Sequence, residues 1–513
     1  MSFVITRPPF LKESSKIPIE DKKNMVSSLS TNERVEEEIE MKPQALVIER
    51  PKFEYMEPVA ESVAESTAEP EEAVEINPAG DVTDSVKLMP TFSEKEAKDI
   101  ERALTNYMSF TDEAFVSESK VSIKFGILGL GQAGGKIADV FAACKLPGKE
   151  TATYPALAIN TCVADIRALK NIPAAHRIEL PNYDLGAMRQ PDVGYEAITQ
   201  DGVLEDIIDR VSRVFETAHH IIVTAGIGGG TGTGTLQVLC EQLAEKGYPI
   251  TAMITLPRNL DSVEEKKNAV DFLTAFQELL YSGVLSSAIV VDNNLLYERY
   301  SIMSKKEGTD IDWKNASNEE IVRIINELNA TTGLASDDTF DGAELKKILS
   351  SGGCVTFGKA LIDSSTDRDG LNESAALRIQ DILHHGYLAD YSNLIEARYA
   401  GVQVIHPPQQ EFGPILEKTL VDVLKKEMPA LTGTYIGHAE IETEKNIIIY
   451  TIASGMGLPG RAQELAQLLA AEVERINEAD AKRSTFVATE VVIRNPFQKN
   501  GTKAKSTSNP FSR

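Results

Sequence analysis

The stretch that decides the fold runs from Gly226 to Thr235 and reads Gly-Ile-Gly-Gly-Gly-Thr-Gly-Thr-Gly-Thr. The apolar run HHIIVTA before it predicts a buried strand, and LQVLCEQLAEK after it has the spacing of a helix. Glycine lets backbone N–H groups approach a ligand closely, and the N-terminus of a helix adds positive potential. Because a purely structural role rarely needs so many glycines, we predict a phosphate-binding loop. Its predicted contact residues are Gly228, Gly229, Gly230, Thr231, Gly232 and Thr233.

A second glycine-rich loop lies earlier, at Gly129–Lys136, between the predicted strand KFGILGLG and a helix predicted from residue 135. Alone, this pattern also fits a Rossmann dinucleotide loop or a turn without a ligand. A Rossmann site needs an acidic residue about 20 positions on, but the next strand ends in Asn160. A Walker loop needs glycine at Leu130 and Ser or Thr after Lys136. Two glycine loops on neighbouring strands predict one nucleotide held between them.

Short apolar runs alternate with amphipathic stretches from residue 121 onward. Strands that alternate with helices predict a parallel sheet covered on both faces. A long helix is predicted from Asn318, where NEEIVRIINEL places Ile321, Ile325 and Leu328 on one side. The predicted units are a disordered acidic extension (1–92), a helix with its lead-in (93–120), a nucleotide-binding domain (121–317), a central helix with the loop after it (318–351), a smaller α/β domain with a terminal helix (352–483) and a basic tail (484–513).

The composition limits the compartment and the partners. The formal net charge is −25, so we do not expect the core to bind nucleic acid directly, because like charge repels phosphates. The residues from Arg494 onward include basic but no acidic side chains, which fits either a docking tail or a solvated one. No stretch is apolar enough for a membrane span, no export signal is visible, and the cysteines form no CxxC pair. These features predict a cytoplasmic protein.

The segment GGGTGTG at 228–234 resembles the glycine-rich signature of tubulins and FtsZ, and the resemblance extends over most of residues 121–480. It implies an α/β fold with a parallel-sheet GTP-binding domain, a long central helix and a smaller α/β C-terminal domain. It also implies GTP or GDP as the ligand and Mg²⁺ as a cofactor. The sequence Gly131-Gln132-Ala133-Gly134 looks like the first phosphate loop of tubulin, in which the glutamine lies beside the phosphates and the magnesium.

Two further loops on the phosphate side follow from the same resemblance. Asn160 is similar to a position in the second loop of FtsZ. Residues 186–194 look like the loop with which FtsZ senses the γ-phosphate, but Met188 and Arg189 replace two small residues there. These larger side chains weaken the expectation that backbone N–H groups alone bind the γ-phosphate. They imply that the Arg189 side chain reaches the γ-phosphate instead.

The base side of the nucleotide is also implied by the resemblance. Glu264 falls where the family contacts the ribose, and Asn268 stands where FtsZ has arginine. The segment VDNNLLY resembles the tubulin segment whose asparagine reads guanine, which indicates Asn293. Asn318, near the start of the long helix, is the nearest match to the second guanine contact. A carboxamide suits guanine because it offers both a donor and an acceptor.

An acidic pair follows the long helix, in the segment Thr339-Phe-Asp-Gly-Ala-Glu-Leu345. Alone, two carboxylates three residues apart are typical of a solvated surface. The segment resembles the loop that one subunit of this superfamily inserts into the nucleotide site of the next. The resemblance implies that Asp341 and Glu344 catalyse GTP hydrolysis in a neighbouring subunit. The implied partner is therefore the protein itself, in a head-to-tail homopolymer.

Several functions are compatible with these features. The TubZ type, which segregates plasmid or phage DNA, is favoured because the basic tail fits a segment that engages a DNA-binding adaptor. A CetZ-like cell-shape filament is supported by the GQAGGK and NEEIV segments. An FtsZ-like division filament is disfavoured because the C-terminal residues do not resemble the acidic-apolar docking peptide of FtsZ. A non-polymerising regulatory nucleotide-binding protein is disfavoured by the acidic pair. A nicotinamide- or flavin-dependent oxidoreductase is disfavoured by the second glycine loop.

Overall fold

The computed structural model describes residues 120–483, except 147–148, 184–185, 335–339, 364–367, 409–411 and 442–445. The predicted acidic extension (1–92), the predicted helix with all but the last residue of its lead-in (93–119) and the basic tail (484–513) lie outside the described residues, so those interpretations stay predictions. Within the described part of the chain, no helix combines the length and the apolar composition that a membrane crossing needs.

Strands and helices alternate along the described chain as the sequence predicts. The strands are β1 Phe125–Leu130, β2 Ala156–Asn160, β3 Arg177–Glu179, β4 His220–Gly226, β5 Ile250–Leu256, β6 Ser287–Asp292, β7 Cys354–Asp363, β8 Tyr399–His406, β9 Gly433–Glu440 and β10 Asn446–Met456. The α-helices are α1 Gly131–Ala143, α2 Val163–Arg167, α3 Pro191–Ile198, α4 Val203–Val214, α5 Gly230–Glu245, α6 Val263–Tyr281, α7 Asn293–Glu307, α8 Trp313–Thr331, α9 Gly342–Leu349, α10 Arg368–His384, α11 Pro414–Glu427 and α12 Gly460–Arg483.

The described strands form one sheet in the order β3-β2-β1-β4-β5-β6-β7-β10-β8-β9. All neighbours from β3 to β7 are parallel, whereas β10 runs antiparallel to both β7 and β8. Strands β1, β2, β5 and β6 are buried at every residue, which is typical of parallel strands covered by helices on both faces. The predicted parallel α/β sheet is confirmed.

The second α/β stretch continues the same sheet. Strand β7 extends it beyond β6 through a short ladder that pairs Ala288 with Cys354 and Ile289 with Val355. The long strand β10 then pairs along most of its length with β7 on one side and β8 on the other. The sequence predicts a second α/β stretch here but not its continuity with the first half, because strand pairing between distant segments leaves no local signal.

Two predicted helix starts were wrong by about one turn. The central helix α8 begins at Trp313 rather than Asn318, because the Asp312 side chain caps it by accepting a hydrogen bond from the backbone N–H of Asn315 at 3.4 Å. Helix α1 begins at Gly131 rather than residue 135. The predicted side of α8 is confirmed, since Ile321, Ile325 and Leu328 are all buried.

Candidate nucleotide-binding and catalytic site

A cavity of about 330 Å³ lies at the carboxyl edge of the parallel strands. Its walls come from the loops after β1, β2, β4, β5 and β6 and from the loop before α3. Strand β1 lies between β2 and β4, so the chain order reverses there. Open α/β sheets bind ligands at such a switch point. Helices α1 and α5 begin at this edge, and their free N–H groups favour an anion.

The two glycine loops pack against each other, backbone to backbone. Gly131 has a left-handed φ of +67°, and a Cβ there would meet the backbone N of Gly232 at 2.9 Å. A Cβ on Gly230 would meet Ala187 Cβ at 2.7 Å, and one on Gly232 would meet the oxygen of Gly226 at 2.9 Å. The expectation that structure alone would not require so many glycines was therefore wrong for these positions.

Gly229 differs from its neighbours because packing does not require it to be glycine. A Cβ at this position would meet only the Gly226 oxygen, at 3.8 Å, and the backbone φ is −88°. Gly229 lines the cavity and precedes the first turn of α5. The free space beside it is the space that a phosphate needs to reach the N–H groups of the helix.

We therefore expect Gly229→Ala to raise the Kd for GTP by about 10-fold or more, because the new methyl group occupies space at the helix N-terminus where an anion binds. The thermal midpoint should stay nearly unchanged, since the methyl group has room in the protein. Titration with a fluorescent GTP analogue and a melting curve measure the two effects. Unchanged GTP affinity in a folded variant would exclude the phosphate position assigned to this loop.

A polar network joins the loop after β2 to the first turns of α1 and α5. Thr161 and Thr231 share a hydrogen bond of 2.7 Å between their hydroxyls, and Thr231 Oγ1 donates to Asn160 Oδ1 at 3.2 Å. Gln132 Nε2 donates to Asp165 Oδ1 at 2.8 Å, and Asn160 Nδ2 donates to Asp165 Oδ2 at 3.3 Å. All of these side chains line the cavity. Carboxylate, hydroxyl and carboxamide oxygens are ligands that suit Mg²⁺, so the oxygen atoms of these side chains fit a site for this ion.

The loop before α3 lies beside that network, because a Cβ on Gly186 would meet Cys162 Cβ at 3.2 Å and Thr161 Oγ1 at 3.7 Å. Met188 and Arg189 both adopt left-handed backbone conformations, with φ values of 46° and 59°. Asn268 Nδ2 donates to the carbonyl oxygens of Arg189, at 2.7 Å, and Gly228, at 3.1 Å. Arg189 Nε lies 3.1 Å from Glu265 Oε1. Asn268 thus fastens this loop to the phosphate loop, and Arg189 faces the cavity.

Asn293, the first residue of α7 and the predicted guanine contact, lines the cavity. Asp292 caps this helix by accepting a hydrogen bond from the N–H of Asn294 at 2.8 Å, and burial raises the pKa of its carboxyl above the usual range. Glu264 is exposed and lies outside the cavity lining, whereas the neighbouring Glu265 is part of it. Asn318 lies in the second turn of α8, also outside the lining.

The acidic pair forms a capping box at the start of α9. Asp341 Oδ1 accepts hydrogen bonds from the N–H groups of Ala343, at 2.8 Å, and Glu344, at 2.9 Å. Glu344 Oε2 accepts one from the N–H of Asp341 at 3.2 Å. Partial burial raises the pKa of the Glu344 carboxyl above its usual range. The helix cap therefore fixes both carboxylates at the surface.

The capping box lies at the opposite edge of the sheet from the cavity. A Cβ on Gly342 would lie 2.6 Å from Ser122 Cβ, and Ser122 precedes β1. The cavity begins at Leu130, at the other end of β1. The extended chain between them covers about 20 Å at the usual rise per residue. Asp341 and Glu344 are thus too far away to act on a ligand in their own subunit's cavity.

The structure brings together most of the residues predicted to bind the nucleotide. Those that line the cavity are Gly131, Gln132, Ala133, Asn160, Arg189, Gly228, Gly229, Gly230, Thr231, Gly232 and Asn293. Those that do not are Gly134, Thr233, Glu264 and Asn318. Lining residues that the sequence analysis missed include Asp165, Asp261 and Glu265. Their signal is weak, since a lone carboxylate on a helix or loop usually belongs to the solvated surface.

Comparisons with known proteins agree with this geometry. Residues 124–301 match the Tubulin/FtsZ family, GTPase domain, and residues 327–466 match the C-terminal domain of the Tubulin/FtsZ-like protein TubZ-like. The tubulin-like protein TubZ of Bacillus cereus is 27% identical over 393 residues, which cover 72% of this chain and 88% of that protein. The tubulin-like protein CetZ of Thermococcus kodakarensis is 30% identical over 293 residues, which cover 55% of this chain and 70% of that protein.

A solved structure supports the same assignment. The crystal structure of a GTPγS-form protofilament of Bacillus thuringiensis serovar israelensis TubZ superposes with a TM-score of 0.62 at 25% sequence identity. The match covers 72% of this chain and 97% of that chain. With the GTPase-domain match and the CetZ relative, these likenesses identify the family. The chain belongs to the tubulin/FtsZ family of GTPases.

Proposed function

We propose that the protein polymerises head to tail into filaments, in which Asp341 and Glu344 of one subunit complete the GTP site of the next. The observation that carries this proposal is the separation of the acidic pair from the cavity by the length of β1. A monomer holds both parts but cannot join them. Longitudinal stacking in one direction brings the acidic edge of one subunit onto the cavity of its neighbour, as a heterologous interface requires.

The chemistry divides between the two subunits. Phosphoryl transfer to water mainly needs stabilisation of the phosphate charge and an oriented water molecule. The N–H groups at the starts of α1 and α5 supply the first within one subunit. Gln132 and Asp165 would hold Mg²⁺, which neutralises part of the triphosphate charge. Asp341 and Glu344 of the neighbour orient the water and accept its proton.

The relatives support a filament rather than an isolated enzyme. The TubZ structure that superposes on this chain is a protofilament with a GTP analogue. We place this chain with the TubZ type because its C-terminal half matches the TubZ-like domain, and we propose plasmid or phage DNA segregation as its role. The basic tail would then engage a DNA-binding adaptor. The CetZ relative, at 30% identity, makes a cell-shape filament the second candidate.

Sedimentation of the full chain with Mg²⁺ and either GTP, GTPγS, GDP or ATP tests the polymerisation. We expect pelleted protein with GTP and GTPγS above a threshold protein concentration, and none with ATP, because we propose that Asn293, which lines the cavity, recognises the guanine. Electron microscopy of the pellet should show filaments. Binding of GTP without pelleting at any concentration would identify a non-polymerising nucleotide-binding protein. Indifference to guanine nucleotides would refute the proposed function.

A further inference from the structure

We propose that Arg189 and Glu265 form a latch that makes the cavity prefer GTP to GDP. In the latch, Glu265 holds the guanidinium while no third phosphate is bound and yields it to the γ-phosphate when GTP enters. The inference rests on the proposed function in two respects, namely that the cavity binds a guanine nucleotide and that the acidic pair of a neighbouring subunit enters at its mouth. It adds a physical reason for nucleotide preference that lies within a single subunit.

The charge balance of the cavity singles out Arg189. Among the described residues that line it, Arg189 carries the only positively charged side chain, while Asp165, Asp261 and Glu265 carry carboxylates. Asp261 is already paired with Arg258 at 2.6 Å. A triphosphate brings more negative charge than a diphosphate into this acidic surrounding. Arg189 is therefore the lining cation that can distinguish a triphosphate from a diphosphate. A guanidinium suits this role because it can donate two parallel hydrogen bonds to a phosphate.

The position of Arg189 indicates which phosphate it meets. Asn268 ties its carbonyl oxygen to that of Gly228, so the side chain starts beside the phosphate loop. The side chain is 54% exposed and therefore lies at the mouth of the cavity, whereas the helix N-termini form its floor. If the acidic pair of a neighbour enters from outside, the phosphate at the mouth is the terminal one. Arg189 is thus within reach of the γ-phosphate rather than of the inner phosphates.

The ion pair is built so that only one side chain has to move. Glu265 Oε2 accepts hydrogen bonds from the N–H of Ser262, at 3.0 Å, and from its hydroxyl, at 2.7 Å, which anchors the carboxylate as part of the α6 capping box. Its other oxygen, Oε1, holds Arg189. The guanidinium can leave without disturbing the cap. A half-exposed pair of this kind binds weakly, so a phosphate can outcompete it.

The backbone of the loop is fixed while the side chain exchanges partners. Left-handed conformations at Met188 and Arg189 are unfavourable for side-chain-bearing residues and persist only where the surroundings enforce them. The enforcing contacts are the Asn268 hydrogen bond and a turn in which the N–H of Gln190 donates to the oxygen of Ala187 at 2.8 Å. The strained backbone directs the Arg189 side chain across the mouth of the cavity in both states.

Affinities for GTPγS and GDP, measured on the dilute full chain with Mg²⁺, test the latch. We expect Arg189→Gln to weaken GTPγS about 10- to 100-fold, the range for losing a hydrogen bond to a charged group, and GDP by less than about 2-fold. Glu265→Gln keeps an acceptor for the capping box but removes the charge. It should tighten GTPγS about 2- to 5-fold and leave GDP unchanged. The double variant should behave like Arg189→Gln alone.

Lys267→Gln is the matched control. Lys267 lies on the same helix as Glu265 and forms an exposed ion pair with Asp271, outside the cavity lining. Its replacement should change neither affinity. Equal weakening of GTPγS and GDP by Arg189→Gln would overturn the latch, as would a Glu265→Gln variant with unchanged GTPγS affinity. Failure of the unaltered chain to bind either nucleotide is a separate result, which would refute the proposed function itself.

Discussion

Replacing Asp341 with Asn, or Glu344 with Gln, should slow GTP hydrolysis by about 10²- to 10⁴-fold, the range for losing a general base or a water-positioning group. GTP binding and filament formation should remain, so the filaments should become longer-lived. The reason is geometric: both carboxylates lie about 20 Å from the cavity of their own subunit, at the usual rise of an extended chain, so the proposed mechanism requires them to act across the subunit contact.

The capping box determines which substitutions are informative. Alanine at Asp341 would remove the N-cap of α9 as well as a catalytic candidate, at a cost of about 1 kcal/mol in stability. Asparagine caps a helix about as well as aspartate, and glutamine can replace glutamate in a capping box. Phosphate release and pelleting should be measured together, with Asp422→Asn, an exposed carboxylate paired with Lys418 on α11, as the control. Unimpaired hydrolysis in both variants would show that the acidic pair only caps the helix.

The phosphate side of the site was largely predictable because its signals are local. Glycine runs that follow an apolar strand and open a helix predict helix N-termini at the edge of a parallel sheet, whereas Asn160 and Asn293 were identified through the resemblance to FtsZ and tubulin. The reason first given for the glycines was incomplete, however. Gly230 and Gly232 are needed for close packing, whereas packing does not require glycine at Gly229, which lines the cavity.

The remaining parts depend on contacts that the sequence does not reveal. Asp165 and Glu265 enter the cavity because α2 and α6 pack beside it, and no spacing in the chain indicates that. The start of α8 was misjudged because the apolar repeat, which begins at Ile321, lies more than two turns after the cap, Asp312. The capping box at Asp341 and Glu344 was recognisable, since an acidic N-cap with glutamate at the third helical position is a known start signal.

Mixing two inactive variants tests the shared site most directly. Gly229→Asp would place a carboxylate in the free space beside the phosphate loop, so this variant should fold but exclude the nucleotide by charge repulsion. Its acidic pair stays intact. The double variant Asp341→Asn, Glu344→Gln has the opposite defect, with an intact cavity and no acidic pair. In a head-to-tail contact between the two, the intact cavity meets the intact acidic pair.

The measurement is the rate of phosphate release by the mixture, compared with the rates of the two variants assayed separately at the same total concentration. We predict that the mixture exceeds the sum of the separate rates by at least about 10-fold, because each mixed contact restores a group worth about 10²- to 10⁴-fold. A mixture no faster than that sum, from variants shown to co-pellet, would contradict an active site built from two subunits.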